Sequence, residues 1–135
     1  MIATVGRVLD TSALTDFATQ RTRYMEAVVW MHDAYVGSLV IPAPALTAAY
    51  AAVPDRARPV LDVLVGLETV VVVPIDEGNA AAIADTLRVA GITAPEAITA
   101  ASVVHAALRR RVPIVTGQPF PLRAISADVE LDPIP

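Results

Sequence analysis

The stretch VLDTSAL, residues 8 to 14, decides how the chain is read. A short apolar run, Arg7-Val8-Leu9, stops at a carboxylate, Asp10. Thr11 and Ser12 follow at once, and a helical pattern begins over Thr11 to Thr19. Two roles suit an acid at this junction. Aspartate is a favoured helix N-cap, worth ~1 kcal/mol, and Asp10 or Thr11 would serve. A carboxylate at the carboxyl end of a buried strand also suits a metal ligand, because ligands of parallel sheets gather outside those ends. The residues alone leave both roles open.

Working outward, short β-like runs alternate with helical ones. Strands are expected at Arg7–Leu9, Ser38–Ile41, Thr69–Val73 and Pro113–Thr116, the valine run TVVVV being the clearest. Between them, helices are expected at Thr22–Gly37, Ala45–Val53, Pro59–Leu67, Asp76–Ala90 and Pro95–Arg111. In the first of these, Tyr24, Ala27, Val28, Met31 and Tyr35 share a face. Leu122–Ser126 reads as one helical turn and Val129–Ile134 as a last edge strand. This order predicts a single α/β domain over residues 1–135: a three-layer α/β/α sandwich around a central, mostly parallel sheet.

Composition agrees. Hydrophobic residues make up 55% of the 135, and mean hydropathy is +0.56. A parallel sheet covered on both faces needs nearly continuous apolar strands, and a subunit interface would bury more apolar surface. Both are expected. Cysteine is absent, which excludes disulfides and zinc-thiolate sites. The N-terminal MIATVGRVLD has no signal-like core, and the richest apolar segment, Val60 to Ile75, holds Asp62 and Glu68. It falls short of the ~18 unbroken apolar residues of a membrane span. A cytoplasmic protein without membrane association is expected. Net charge is −4, which argues against strong non-specific attraction to phosphate backbones. All ten basic residues are arginine.

The remaining polar residues are less pointed. His105, in the apolar SVVHAAL, reads as a packing residue, and His32 beside Asp33 as a surface one. Arg109-Arg110-Arg111 closes the long helix, where cations favour the macrodipole; an RNA phosphate or an acidic partner is the other use, joined by Arg21 and Arg23. Trp30 and Tyr35 read as core or dimer-interface residues. No Ser/His/Asp set has recognisable spacing, and GITAPE lacks the lysine and glycines of a phosphate loop. A receiver-like domain needs an acidic pair after strand one and an acid after strand three. Asp10 stands alone, and Val73 is followed by Pro74-Ile75-Asp76.

VLDTSAL, then IPAPAL, VVVPID, a helix, and IVTGQPFPLRAI resemble a PIN domain, closest to the toxin ribonucleases of bacterial VapBC systems. The resemblance covers almost the whole chain in order. It implies RNA cleavage with Mg²⁺ or Mn²⁺ held by three or four carboxylates, homodimerisation and an antitoxin-like protein partner. Close carboxylates offset the metal's dehydration cost, and the metal then activates a water and stabilises phosphoryl charge. Asp10 matches the family's first acid. Ala48 stands near the second, and no acid lies between Asp33 and Asp55. In EAITAAS, Glu96 takes the place of the third acid and Thr99 that of its companion. Gln118 stands where the fourth belongs. Thr11, Ser12, Thr99, Thr116 and Gln118 are expected on a polar rim that cannot supply the missing charge. The resemblance therefore implies an eroded metal site with weak or no ribonuclease activity. Its rival is an active metal-dependent ribonuclease using Asp10 and Glu96.

Overall fold

In the computed structural model, which describes residues 6–34 and 37–135, every strand is parallel to its neighbours, and the sheet order is β3-β2-β1-β4-β5. The strands are β1 (Arg7–Leu9), β2 (Leu39–Pro42), β3 (Val70–Val73), β4 (Ile114–Thr116) and β5 (Leu131–Pro133). The helices are α1 (Thr11–Thr19), α2 (Tyr24–Ala34), α3 (Ala43–Ala52), α4 (Arg58–Val65), α5 (Ala80–Val89), α6 (Ile98–Arg110) and α7 (Pro119–Ile125). The expected α/β/α sandwich is thus observed, and its sheet is wholly rather than mostly parallel.

Burial follows position in the sheet. Every residue of β2 and β4 is buried, as are Val8 and Leu9 of β1, because helices cover these central strands on both faces. Helix α6 lies against β1, β2 and β4, and α1 against β1 and β4. Leu9, Leu39, Ile41 and Ile114 are fully buried, each worth roughly 1.5–3 kcal/mol relative to exposure. The valine run forms β3, an edge strand with Val71 exposed, so a sequence suited to a core strand occupies a rim.

Chain order and sheet order together fix the site. From β1 the chain steps outward through β2 to β3, then returns to the other side of β1 for β4 and β5. The direction of winding reverses between β1 and β4. At such a switch point the flanking loops part and leave a crevice at the carboxyl ends of the strands. Asp10 and Thr116 are the residues at those two ends.

Three helix starts lie later than expected, α2 beginning at Tyr24 rather than Thr22. Asp76 does not open α5. Its Oδ1 accepts the backbone N–H groups of Gly78 and Asn79, at 2.8 and 3.1 Å, while Asn79 Oδ1 accepts from Asp76 N at 2.9 Å. This reciprocal turn competes with helix, and α5 begins only at Ala80. Pro95–Ala97 forms a 3₁₀ turn before α6.

Two side chains correct the sequence reading. His32 is buried, not a surface residue, with Nδ1 2.9 Å from the Val28 carbonyl oxygen one turn back. Trp30 is 71% exposed on α2 and is not a core residue; Tyr35 lies outside the described residues. No described helix is long and apolar enough to cross a membrane.

Candidate functional site

Asp10 is the N-cap of α1, in extended conformation, with Leu14 N donating to its carbonyl at 3.1 Å. Its carboxylate is 7% exposed and held on three sides. Oδ1 accepts from Ser12 Oγ at 2.6 Å and Ala13 N at 2.9 Å, and Oδ2 accepts from Thr116 Oγ1 at 2.5 Å. Both hydroxyls are in turn oriented by backbone. Gly117 N donates to Ser12 Oγ and Gln118 N to Thr116 Oγ1, each at 2.8 Å. The result is a relay from the β4–α7 turn through two hydroxyls to one carboxylate. It locks the carboxyl ends of β1 and β4 together across the switch point.

A carboxylate has about four lone-pair positions, and this one has filled three. Burial raises the Asp10 pKa, against the lowering pull of the hydrogen bonds from Ser12, Thr116 and Ala13. Desolvation is the larger effect, and it penalises the charged form in the absence of a nearby cation.

Outside this relay opens a cleft of about 170 Å³. Its walls include Asp10, Thr11, Ser12, Glu96, Thr99 and Gln118. The structure therefore brings Asp10 and Glu96 to one cavity from residues 86 positions apart in sequence, with Thr99 and Gln118 beside them. Thr116 sits behind Asp10, wholly buried, rather than on the rim. Thr11 Oγ1 donates to the Ala45 carbonyl at 3.4 Å, tying α1 to α3. Ala48, the alignment's place for a second acid, is half-buried on α3 and is not part of the cleft wall.

Glu96 differs from Asp10 in every respect. It lies in the exposed 3₁₀ turn Pro95–Ala97, just before α6. Among the described residues no three acids or histidines group closely enough to hold a metal ion. The fit to Mg²⁺ is poor on these grounds. One carboxylate has three of its lone-pair positions taken by hydroxyl and amide donors, the other is an exposed glutamate, and the rest of the wall is hydroxyls, a glutamine and apolar side chains.

A residue that sequence reasoning assigned elsewhere also reaches this region. From the sequence, Arg21 groups with the arginines that end α6. Instead it pairs with Asp16 at 3.2 Å, and a Cβ placed on Gly117 would lie 3.8 Å from Arg21 Nη2. The Asp16 carboxylate is itself buried and also accepts from Thr22 Oγ1 at 2.8 Å. A buried acid two turns along α1 thus holds a guanidinium near the mouth. The signal in the sequence was the acid-to-arginine spacing across the α1–α2 turn.

No protein-family model and no curated protein matches the sequence. Solved structures do match the fold. The complex VapBC2 from Rickettsia felis, bound to a DNA fragment from its promoter, aligns over 96% of this chain and 98% of the matched one. Its TM-score is 0.69 at 9% identity. PAE2754 from Pyrobaculum aerophilum aligns over 95% and 92% of the two chains, with TM-score 0.59 and 16% identity. FitAcB from Neisseria gonorrhoeae aligns over 93% and 95%, with TM-score 0.58 and 15% identity. At these identities the likeness is one of fold: the chain has the PIN-like architecture that its motifs implied.

Proposed function

We propose that this chain is a VapC-like PIN protein whose metal site is eroded, so that it cleaves RNA weakly or not at all. It works instead as a binding module, forming a homodimer and engaging an antitoxin-like protein. The observation that carries this reading is the state of Asp10. The acid at the switch point is consumed by Ser12, Thr116 and Ala13, and Glu96 is the one other carboxylate in the cleft wall. Mg²⁺ held by two carboxylates would keep most of its waters and bind weakly. Exposed apolar side chains support a partner-binding role: Trp30 is 71%, Val89 90% and Phe120 87% exposed.

The rival reading, a ribonuclease using Mg²⁺ or Mn²⁺ at Asp10 and Glu96, is favoured by one observation. The fold places these two acids on one cleft, with Thr99 and Gln118 beside them. Mn²⁺ titration followed by NMR or calorimetry separates the two. Eroded-site chemistry predicts no saturable binding by the wild type at millimolar Mn²⁺, and binding in Gln118→Asp, which adds a third acid to the cleft wall. Saturable wild-type binding that disappears in Asp10→Asn would overturn the eroded-site reading and leave the ribonuclease standing. Sedimentation of the pure protein should give twice the chain mass of 14.2 kDa.

A further inference from the structure

A second cavity, of about 280 Å³, lies on the other side of α6 from the Asp10 cleft. Thr99, Ala100 and Val103 of α6 face the first cleft, whereas Ser102, His105, Ala106, Arg109 and Arg110 face the second. The opposite wall is built by the carboxyl ends of β2 and β3 (Pro42, Val73, Pro74, Ile75) and by the start of α5. The cavity is of mixed character: an apolar wall faces a polar rim that holds Arg109, Arg110, His105, Ser102, Asn79 and Asp76.

Its polar groups are arranged for an anion. Neither Arg109 nor Arg110 makes a salt bridge among the described residues. His105 lies between helix core and cavity; its pKa is lowered by burial first and by Arg109 and Arg110 next. The titratable group facing them from the other wall is Asp76. Its Oδ1 accepts from the N–H groups of Gly78 and Asn79, which hold the carboxylate on its own turn without cancelling its charge. Asn79, the N-cap of α5, makes no side-chain bond to the helix it precedes. Ala80 N, the first N–H of α5, donates instead to the Asp76 carbonyl at 3.0 Å, so the turn itself closes the start of the helix.

We propose that this cavity binds a nucleoside monophosphate, its phosphate on Arg109 and Arg110 and its base against Pro74, Ile75 and Ile83. Three features select this class. Paired guanidiniums match the geometry of a phosphate better than a single cation does. The apolar wall gives a planar base a surface that a free phosphate or a bare sugar phosphate would not use. The volume sits just under the ~300 Å³ at which drug-sized pockets begin, so it suits a compact ligand. A bound phosphate would also favour the protonated imidazole of His105 and so raise its pKa.

The test is an NMR titration of the full chain at low ionic strength with CMP, cytidine and inorganic phosphate in parallel. CMP is expected to bind saturably and more tightly than cytidine or phosphate, to shift the amides of Ile83 and Ala106, and to raise the His105 pKa. Arg109→Ala/Arg110→Ala should weaken CMP by about tenfold or more, the loss of at least one charge-assisted hydrogen bond from each guanidinium, with an unchanged thermal midpoint. The double lysine variant should recover part of that loss. Asp10→Asn should bind CMP as the wild type does, so the outcome is independent of the fate of the metal site. Equal binding of CMP and phosphate, no saturation at millimolar CMP, or full binding by the double alanine variant would each overturn the proposal. Displacement of CMP by a tighter-binding 5′-phosphorylated trinucleotide would overturn it too, in favour of an RNA strand end.

Discussion

The two cavities flanking α6 have opposite economies of charge. In the Asp10 cleft the buried carboxylate is surrounded by donors from its own chain, and the relay is complete without a ligand. In the α5–α6 cavity Arg109 and Arg110 make no salt bridge among the described residues, and the facing carboxylate, Asp76, is held by its own turn. The first cavity stands where the fold places a site, at the switch point of the sheet. The second is marked only by its side chains. Fold position is set by topology and persists when residues change, whereas ligand chemistry depends on which groups are left unsatisfied. A switch-point cleft with a satisfied carboxylate is therefore a weaker claim to present function than its location implies.

The largest effect that would break this contrast is in stability. Asp10→Ala removes an N-cap, ~1 kcal/mol, and leaves the buried Thr116 hydroxyl without its acceptor, whereas half-buried Ser12 can turn to water in the cleft. Each unsatisfied buried donor costs roughly 1–3 kcal/mol when no water reaches it. Chemical denaturation should show a loss of about 2–4 kcal/mol, against a change within about 0.5 kcal/mol for exposed Arg109→Ala/Arg110→Ala. Comparable losses in both would mean that the second cavity is as structural as the first.

Next in size is Thr116→Val, which keeps volume but deletes the hydroxyl joining Asp10 to Gln118 N. A loss of about 1–2 kcal/mol is expected, with faster amide exchange at Gly117 and Gln118. Asp10→Asn sharpens the same point through pH. The Asp10 pKa is raised in the folded state, so its contribution to stability is fully present below the unfolded-state pKa and is lost as pH rises through the folded value. The wild type should therefore have its greatest advantage over Asp10→Asn in acid and lose ground toward neutrality. An advantage that grows with pH would mean that a cation stabilises the carboxylate, which is the behaviour of a metal ligand.

Much of this was legible in the sequence, for identifiable reasons. VLDTSAL gave strand, cap and helix because apolar run, Asp and helical period are all local signals, and Asp10 rather than Thr11 proved to be the cap. Glu96 and Gln118 were placed at the cleft by motif, and both line it. What escaped was set by distant contacts. The TVVVV run could not announce an edge position, because edge or centre depends on what pairs beyond it. His32 looked polar and superficial beside Asp33, yet its ring is buried and lies 2.9 Å from the Val28 carbonyl. The relay from Gly117 and Gln118 through two hydroxyls links residues more than a hundred positions apart, and no spacing rule reports it.

The smallest predicted effect tests the asymmetry inside the Asp10 cleft itself. Glu96 is exposed and lies ahead of α6 rather than within its first turn. As a solvated acid near a helix N-terminus it contributes at most ~0.3–1 kcal/mol, screened by salt. Glu96→Gln should thus cost only a few tenths of a kcal/mol, and the cost should fade in high salt. Asp10→Ala, whose losses are hydrogen bonds, should keep its full effect in the same salt. If Glu96→Gln instead cost as much as Thr116→Val, and did so at every ionic strength, Glu96 would be a second structural carboxylate. The cleft would then hold no free acid at all, and the two-carboxylate ribonuclease would lose its remaining ligand.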